Sequence, residues 1–252
     1  MDITELKRNR TNNRHPWERT RAKVLKFLIN KYNPYCSHIL DIGSGDAFIL
    51  DYLCKNSIAN EYTAIDTAYS EEIINTAVTN TNCKINFFQN LPDILNQKAD
   101  CVLLLDVLEH CENDNLLLEQ AHSNKLTSSP VIFITVPAFQ TLFSAHDKLL
   151  LHYRRYSIRH LEKTCQKNSY QIIASGYFFT TLLLIRAIQL VLEKFNLYKP
   201  VKSIDNWNGG KAISRFISFL LWFDFMAGRF FLKMGIKIPG LSAYCVCRPL
   251  PS

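Results

Sequence analysis

The sequence predicts a doubly wound α/β fold, a sheet with helices on both faces and a helical insert before the last strand. Three observations predict it. Apolar strand-like runs alternate with helical patterns from Ile39 onward. A Gly43-Ser44-Gly45 bend joins the first run to a helix. Cys101 to Leu105 and Val131 to Val136 are almost uninterrupted apolar runs, the pattern of strands buried on both faces.

The elements follow in order. Residues 17–32 place Val24, Leu25, Leu28 and Ile29 at helical spacing, giving an amphipathic helix. Ile39, Leu40 and Ile42 make the first strand, and Phe48 to Leu53 the helix after the bend. Residues 61–68 give a second strand ending at Asp66, 71–78 a helix, and 83–88 a third strand. After the strand at 101–105 come a helix from Asn113 to His122, the strand at 131–136, a helix capped by Ser157 and running to Lys167, and a strand over 169–175. Two apolar helices, 176–195 and 212–233, precede a closing strand at 241–248. On the second helix Arg215, Ser218, Arg229 and Lys233 share one face and Asp224 falls opposite, either facing a functional cavity or being capped or solvated. The expected organisation is one domain over 1–252: a helical lid at 1–35, a core at 36–175 and 241–252, and an insert at 176–240.

Composition narrows the function. With 252 residues, 48% hydrophobic and 20% charged, the chain has ample core and is neither disordered nor collagenous. Its 8 cysteines are scattered without a C-x-x-C pair, which predicts reduced thiols, no metal ligand set and a cytoplasmic location. The start has no apolar signal region, and no apolar stretch reaches spanning length; the longest, Ile172 to Ile185, is closed by Arg186. Residues 1–35 and 176–240 each hold 9 Lys and Arg against 3 Asp and Glu, while the remainder is acidic. Basic flanks of this kind either form solvated faces or meet an anionic partner: a membrane surface, a phosphate-bearing substrate or, less well supported, nucleic acid. No nucleic-acid partner is expected, because no finger, helix-turn-helix or RNP-like pattern occurs.

A glycine bend at a helix N-terminus brings backbone close to a ligand. The nicotinamide fingerprint needs a third glycine where Phe48 stands, and Asp46 would repel a pyrophosphate. Asp41 adds negative charge suited to an ammonium. Asp66, at the end of the second strand, suits both hydroxyls of a ribose, with a helix cap as its alternative use. The set calls for an adenosine-bearing, phosphate-free, cationic cofactor, a description that fits S-adenosylmethionine.

ILDIGSGDAF, the distal Asp66 and DVLEH at 106–110 resemble a class I S-adenosylmethionine-dependent methyltransferase, whose sheet is Rossmann-like. The H-x-W-x-R-x-R run (His15, Trp17, Arg19, Arg21) and residues 136–157, with H-Y-R-R-Y at their end, resemble a bacterial subgroup of methyltransferase-domain proteins. The resemblance implies that Asp41, Gly43, Ser44 and Gly45 hold the methionine end of S-adenosylmethionine. It implies Asp66 on the ribose, Thr67 under the adenine, and Asn90 and Leu91 at the adenine edge. Asp106 and Val107 would border the sulfonium, and Arg19 or Arg21 would pair with the methionine carboxylate. An acidic residue that many relatives turn toward the adenine amino group is absent from FFQNLPD, leaving Gln89 or Asn90 in its place.

Such chemistry needs an acceptor held in line with the methyl group and, for an oxygen or nitrogen acceptor, a route for its proton. Candidate catalytic residues are His110, His146 (beside Asp147), His152 and Tyr153, each with packing as its alternative role. Arg154 and Arg155 either bind an anionic acceptor or cover a helix face. The expected function is methyl transfer to a small-molecule or lipid-linked acceptor. The alternatives are a non-catalytic binding protein on the same fold and a nicotinamide oxidoreductase. The insert has three open roles: lining a greasy acceptor pocket, forming a homodimer face, or lying on the anionic inner face of a membrane.

Overall fold

The computed structural model describes residues 14–80, 83–90, 99–123, 130–195, 197, 207 and 209–250. Its centre is one sheet of seven strands: β1 (His38–Ile42), β2 (Glu61–Ile65), β3 (Asn86–Phe88), β4 (Cys101–Leu105), β5 (Val131–Pro137), β6 (Tyr170–Phe178) and β7 (Ser242–Pro249). Their order is β3-β2-β1-β4-β5-β7-β6. The first five pair in parallel, and β7 slots between β5 and β6 antiparallel to both. The α/β class with helices on both faces is as expected. The reversed β7 was not read, because alternation in LSAYCVCR fixes a strand's two faces but not its direction.

Alternation along each strand splits the core in two. Ile39, Cys101, Leu103, Leu105, Phe133, Tyr244 and Val246 point to one face, under α1 (Pro16–Tyr32), α2 (Phe48–Lys55) and α8 (Lys211–Lys233). Leu40, Val102, Leu104, Ile132, Ile134, Cys245 and Cys247 point to the other, under α4 (Asp114–Ser123) and α6 (Ile158–Lys167). Between these helices the chain also forms α3 (Glu71–Asn80), α5 (Ala145–Leu149) and α7 (Thr180–Lys194).

α1 begins at Pro16, whose fixed φ suits a first helical turn. His15 caps it: its Nδ1 accepts from the Trp17 N–H at 3.3 Å, and Glu18 reaches back to the His15 N–H at 3.1 Å. α1 buries Ala22, Val24, Leu25, Leu28 and Ile29. α8 docks on it through Phe27, whose ring meets Phe225 at 5.7 Å and Trp222 at 6.0 Å, with the Arg229 guanidinium 4.6 Å from its centroid. α1 and α8 are therefore one packed layer.

Two details differ from expectation. β6 continues through Phe178, so Gly176 to Phe178 belong to the sheet and the apolar run 172–185 is part strand and part helix. Cys54 and Cys83 form a disulfide, which corrects the expectation that all eight cysteines are free thiols. Sequence spacing missed it because the two sulfurs meet only after α2 and β3 are packed. The other six are free, and Cys165 of α6 sits on Cys245 and Cys247 of β7, all buried.

Candidate active site

The C-terminal ends of β1, β2 and β4 bring Asp41, Gly43, Ser44, Gly45, Asp66, Asp106 and Val107 together. After β1 the chain turns at Gly43 with φ 74° and Gly45 with φ 55°, left-handed values that favour glycine. A Cβ on Gly43 would stand 2.5 Å from Cγ2 of Val107, so the absence of a side chain there lets the β1 and β4 loops close on each other. The bend is held by the Gly43 and Ser44 N–H groups donating to the Ile65 carbonyl at 2.8 and 3.0 Å. The Ser44 hydroxyl lies 2.7 Å from that of Tyr69 and is buried. Asp66 accepts from the Gly45 N–H at 2.9 Å and the Ala68 N–H at 3.1 Å, tying β2 to the bend. Its carboxylate retains lone pairs, since each oxygen has more than one acceptor position.

Asp41 is buried at the end of β1, and its Oδ1 has no hydrogen-bond partner. Burial pushes its pKa up to about 8, opposed by the charge of Arg21 and reinforced by that of Asp66. A buried, under-satisfied carboxylate is unfavourable by itself and is relieved by a cation. Asp46 behaves differently. It caps the first turn of α2 by accepting from the Phe48 N–H at 3.1 Å and forms an ion pair with Arg14, whose guanidinium lies over the Phe48 ring at 4.0 Å. A carboxylate at that helix start disfavours phosphate.

Asp106 ends β4 with φ 55°, a left-handed value for a residue with a side chain. Arg21 donates from one side, Nη1 to Oδ2 at 2.9 Å, while the Thr135 hydroxyl donates to Oδ1 at 3.0 Å and itself accepts from Arg21 Nη2 at 3.0 Å. Arg21 is thus committed to Asp106. Arg19, on the opposite face of α1, lines a cleft of about 690 Å³ with Lys23, Lys211, Arg215, Trp222 and Phe219. The structure does not bring Arg19 to the glycine bend. Sequence reading missed Arg14, for which only its place before His15 offered a signal.

Beyond Asp106 a turn of 3-10 helix at Leu108–His110 carries Glu109 and His110 to the segment after α5. His110 and His152 meet with ring centroids 4.6 Å apart at 82°. His152 Nδ1 lies 3.0 Å from Asp147 Oδ1, and Arg155 holds the same carboxylate through Nε at 2.7 Å and Nη2 at 3.1 Å. Burial opposes ionisation of Asp147, but hydrogen bonds from His152 and Arg155 hold its pKa well below the usual carboxylate range. Burial lowers His110 to about 4. Burial and the neighbouring Asp106 push Glu109 well up, and its Oε2 has no partner.

Of the four candidate catalysts, His110 and His152 are brought together beside Asp106. His146, on α5, is outside their group, and the Tyr153 side chain is 54% exposed with its backbone N–H bound to the Glu109 carbonyl. Arg155 is buried on Asp147, and Arg154 pairs with Asp114 at the start of α4 at 3.4 Å. Asp224 proves to be a cap, accepting from the Thr181 N–H of α7 at 2.9 Å. Thr67 and Asn90 are exposed near the ends of β2 and β3, where Gln89 donates to the Thr67 carbonyl at 3.2 Å. Leu91 lies outside the described residues.

No protein-family model and no curated protein sequence matches the chain. Solved structures do. The chain is similar to the plantazolicin methyltransferase BpumL, crystallised with S-adenosylhomocysteine (SAH), at 19% identity and a TM-score of 0.54, over 98% of this chain and 88% of that one. A SAM-dependent methyltransferase from Archaeoglobus fulgidus matches at 17% identity and a TM-score of 0.50, over 92% and 96%. The N-methyltransferase NodS from Bradyrhizobium japonicum WM9, also with S-adenosylhomocysteine, matches at 16% and 0.51, over 69% and 88%. At these identities the likeness establishes a methyltransferase-type Rossmann-like sheet.

Proposed function

We propose that the protein is an S-adenosylmethionine-dependent methyltransferase acting on a small or lipid-linked hydrophobic acceptor at an anionic membrane surface. The observation that carries the first half is the buried Asp41 carboxylate, unpaired at Oδ1, beside a left-handed glycine bend that is braced by Asp66. These residues fit the cofactor: a cationic ammonium satisfies Asp41, backbone passes close at Gly43, and Asp66 keeps acceptor capacity for ribose hydroxyls. Asp46 occupies the Phe48 N–H at the helix start, a donor that a dinucleotide pyrophosphate would need. When bound, S-adenosylmethionine supplies a methyl group already activated by a positive sulfur.

The protein's own work is placement. Arg21 and Thr135 hold Asp106, and with it the β4 loop that Val107 packs against Gly43. His110 and His152 stand on the acceptor side of that loop, with Asp147 fixing the His152 ring. The acceptor's hydrophobic character rests on the insert. No residue of α7 is fully buried, and α8 fully buries only Leu221, Phe225 and Arg229.

Calorimetry on the purified chain tests the reading. S-adenosylmethionine and S-adenosylhomocysteine should bind and NADH should not, and Asp66→Ala should weaken binding at least tenfold. Absence of affinity for both sulfur nucleosides would remove the proposal. Transfer of a labelled methyl group to a membrane-containing extract then separates an enzyme from a non-catalytic binding protein.

A further inference from the structure

The turn after β4 and the segment after α5 also build a group whose chemistry the cofactor reading does not use. One ligand atom each from Glu109, His110 and His152 lies within 4.8 Å of the others. Glu109 is 1% exposed, and its Oε2 is buried without a hydrogen-bond partner, a costly state for a carboxylate unless a cation faces it. His152 is supported as a metal-binding histidine is: its Nδ1 faces Asp147 Oδ1 at 3.0 Å, so that nitrogen carries the hydrogen and Nε2 keeps its lone pair. Asp147 is in turn fixed by Arg155 and by the Ser144 N–H at 2.9 Å. The His152 ring is perpendicular to that of His110 and held in place before any ligand arrives.

We propose that Glu109, His110 and His152 bind a divalent first-row transition metal ion, with Asp147 as the positioning residue behind His152. One carboxylate oxygen and two imidazole nitrogens suit zinc, cobalt or manganese rather than calcium, which takes oxygen ligands in greater number. Three protein ligands leave a coordination position open, as in sites that handle a substrate. The chain location assigns that position. Glu109 lies three residues beyond Asp106, so, resting on the methyltransferase reading above, the metal takes the oxygen of a hydroxyl- or phenol-bearing acceptor. Coordination favours loss of the hydroxyl proton to solvent, its electron pair remaining on the oxygen.

The metal site is tested by titrating cobalt(II) into the full chain, freed of metal, and following visible absorption. One equivalent should give bands of a nitrogen- and oxygen-ligated ion, displaced by zinc. Glu109→Gln and His110→Ala should each weaken binding at least tenfold, and Asp147→Asn by about 10–100-fold, with thermal melts showing each variant folded. Cys165→Ser and Asp66→Ala should leave cobalt binding unchanged. The proposal fails if cobalt does not bind, if the folded Glu109→Gln and His110→Ala variants bind as the parent does, or if a sulfur-to-cobalt band places the ion on Cys165, Cys245 and Cys247. The two readings fail separately: cobalt binding without nucleoside binding in the parent chain would sink the methyltransferase reading and leave the metal site standing.

Discussion

At the scale of single residues, Asp41 is a buried carboxylate that costs stability when it ionises. Its pKa is about 8 when folded and near 3.8 when exposed, so between those values the unfolded chain releases a proton that the folded chain keeps. Stability is therefore lost as pH rises from about 4 to 8. Asp41→Asn removes the titration, and its melting temperature relative to the parent should climb across that window while nucleoside affinity drops at least tenfold. A constant offset in paired melts at pH 5 and pH 8 would refute the assignment. Gly43 poses a steric question instead. Gly43→Ala meets both the left-handed φ and the Val107 methyl at 2.5 Å, and should lose roughly 1–3 kcal/mol in a denaturant melt. Adding Val107→Ala should recover part of that loss, and no recovery would show that backbone strain alone is responsible. Asp41, Gly43 and Asp66 were legible because they occupy fixed places at strand ends. The commitment of Arg21 to Asp106 and Thr135 was not, since nothing in the local spacing of α1 encodes a partner on β4 or β5.

At the scale of elements, the strands could be read because burial on both faces demands runs such as CVLLL, which leave little room for another assignment. The helices of the insert were legible in extent but not in use. Periodicity placed Arg215 and Arg229 on one face, yet packing divides them: Arg229 is buried over Phe27, while Arg215 lines the cleft with Lys23. That division follows from which α1 side chain each arginine meets, a contact set by tertiary structure. Phe225 is the anchor of the contact, 1% exposed and edge-on to Phe27. Phe225→Ala should cost about 3–5 kcal/mol by urea denaturation. Because α8 lies over α1, the same change should raise backbone hydrogen exchange in both helices; exchange confined to α8 would mean the two do not form one layer.

At the scale of the whole molecule, charge and exposed apolar surface coincide. At about 100° per residue, Phe216, Phe219, Phe223, Met226 and Phe230 fall within one stripe of α8, and the four phenylalanines are 61–65% exposed. Arg215 and Lys233 border that stripe, and Arg19, Lys23 and Lys211 join Arg215 around the adjoining cleft. No helix among the described residues is long and apolar enough to cross a membrane. An amphipathic surface of this form suits the lipid interface proposed above, which would take the aromatic rings among acyl chains and the cations at the headgroups. The protein should float with vesicles containing anionic lipid at low salt, float poorly with neutral ones, and be released as ionic strength rises. Replacing Phe216, Phe223 and Phe230 together by Ser removes roughly 1.5–3 kcal/mol per ring that inserts fully, so partitioning should fall more than tenfold. The rings are exposed in the folded chain, so melting should change little. Parent protein that stays in solution at low salt would overturn the membrane reading, and a dimer that dissociates on the triple substitution would assign the stripe to a second copy of the chain.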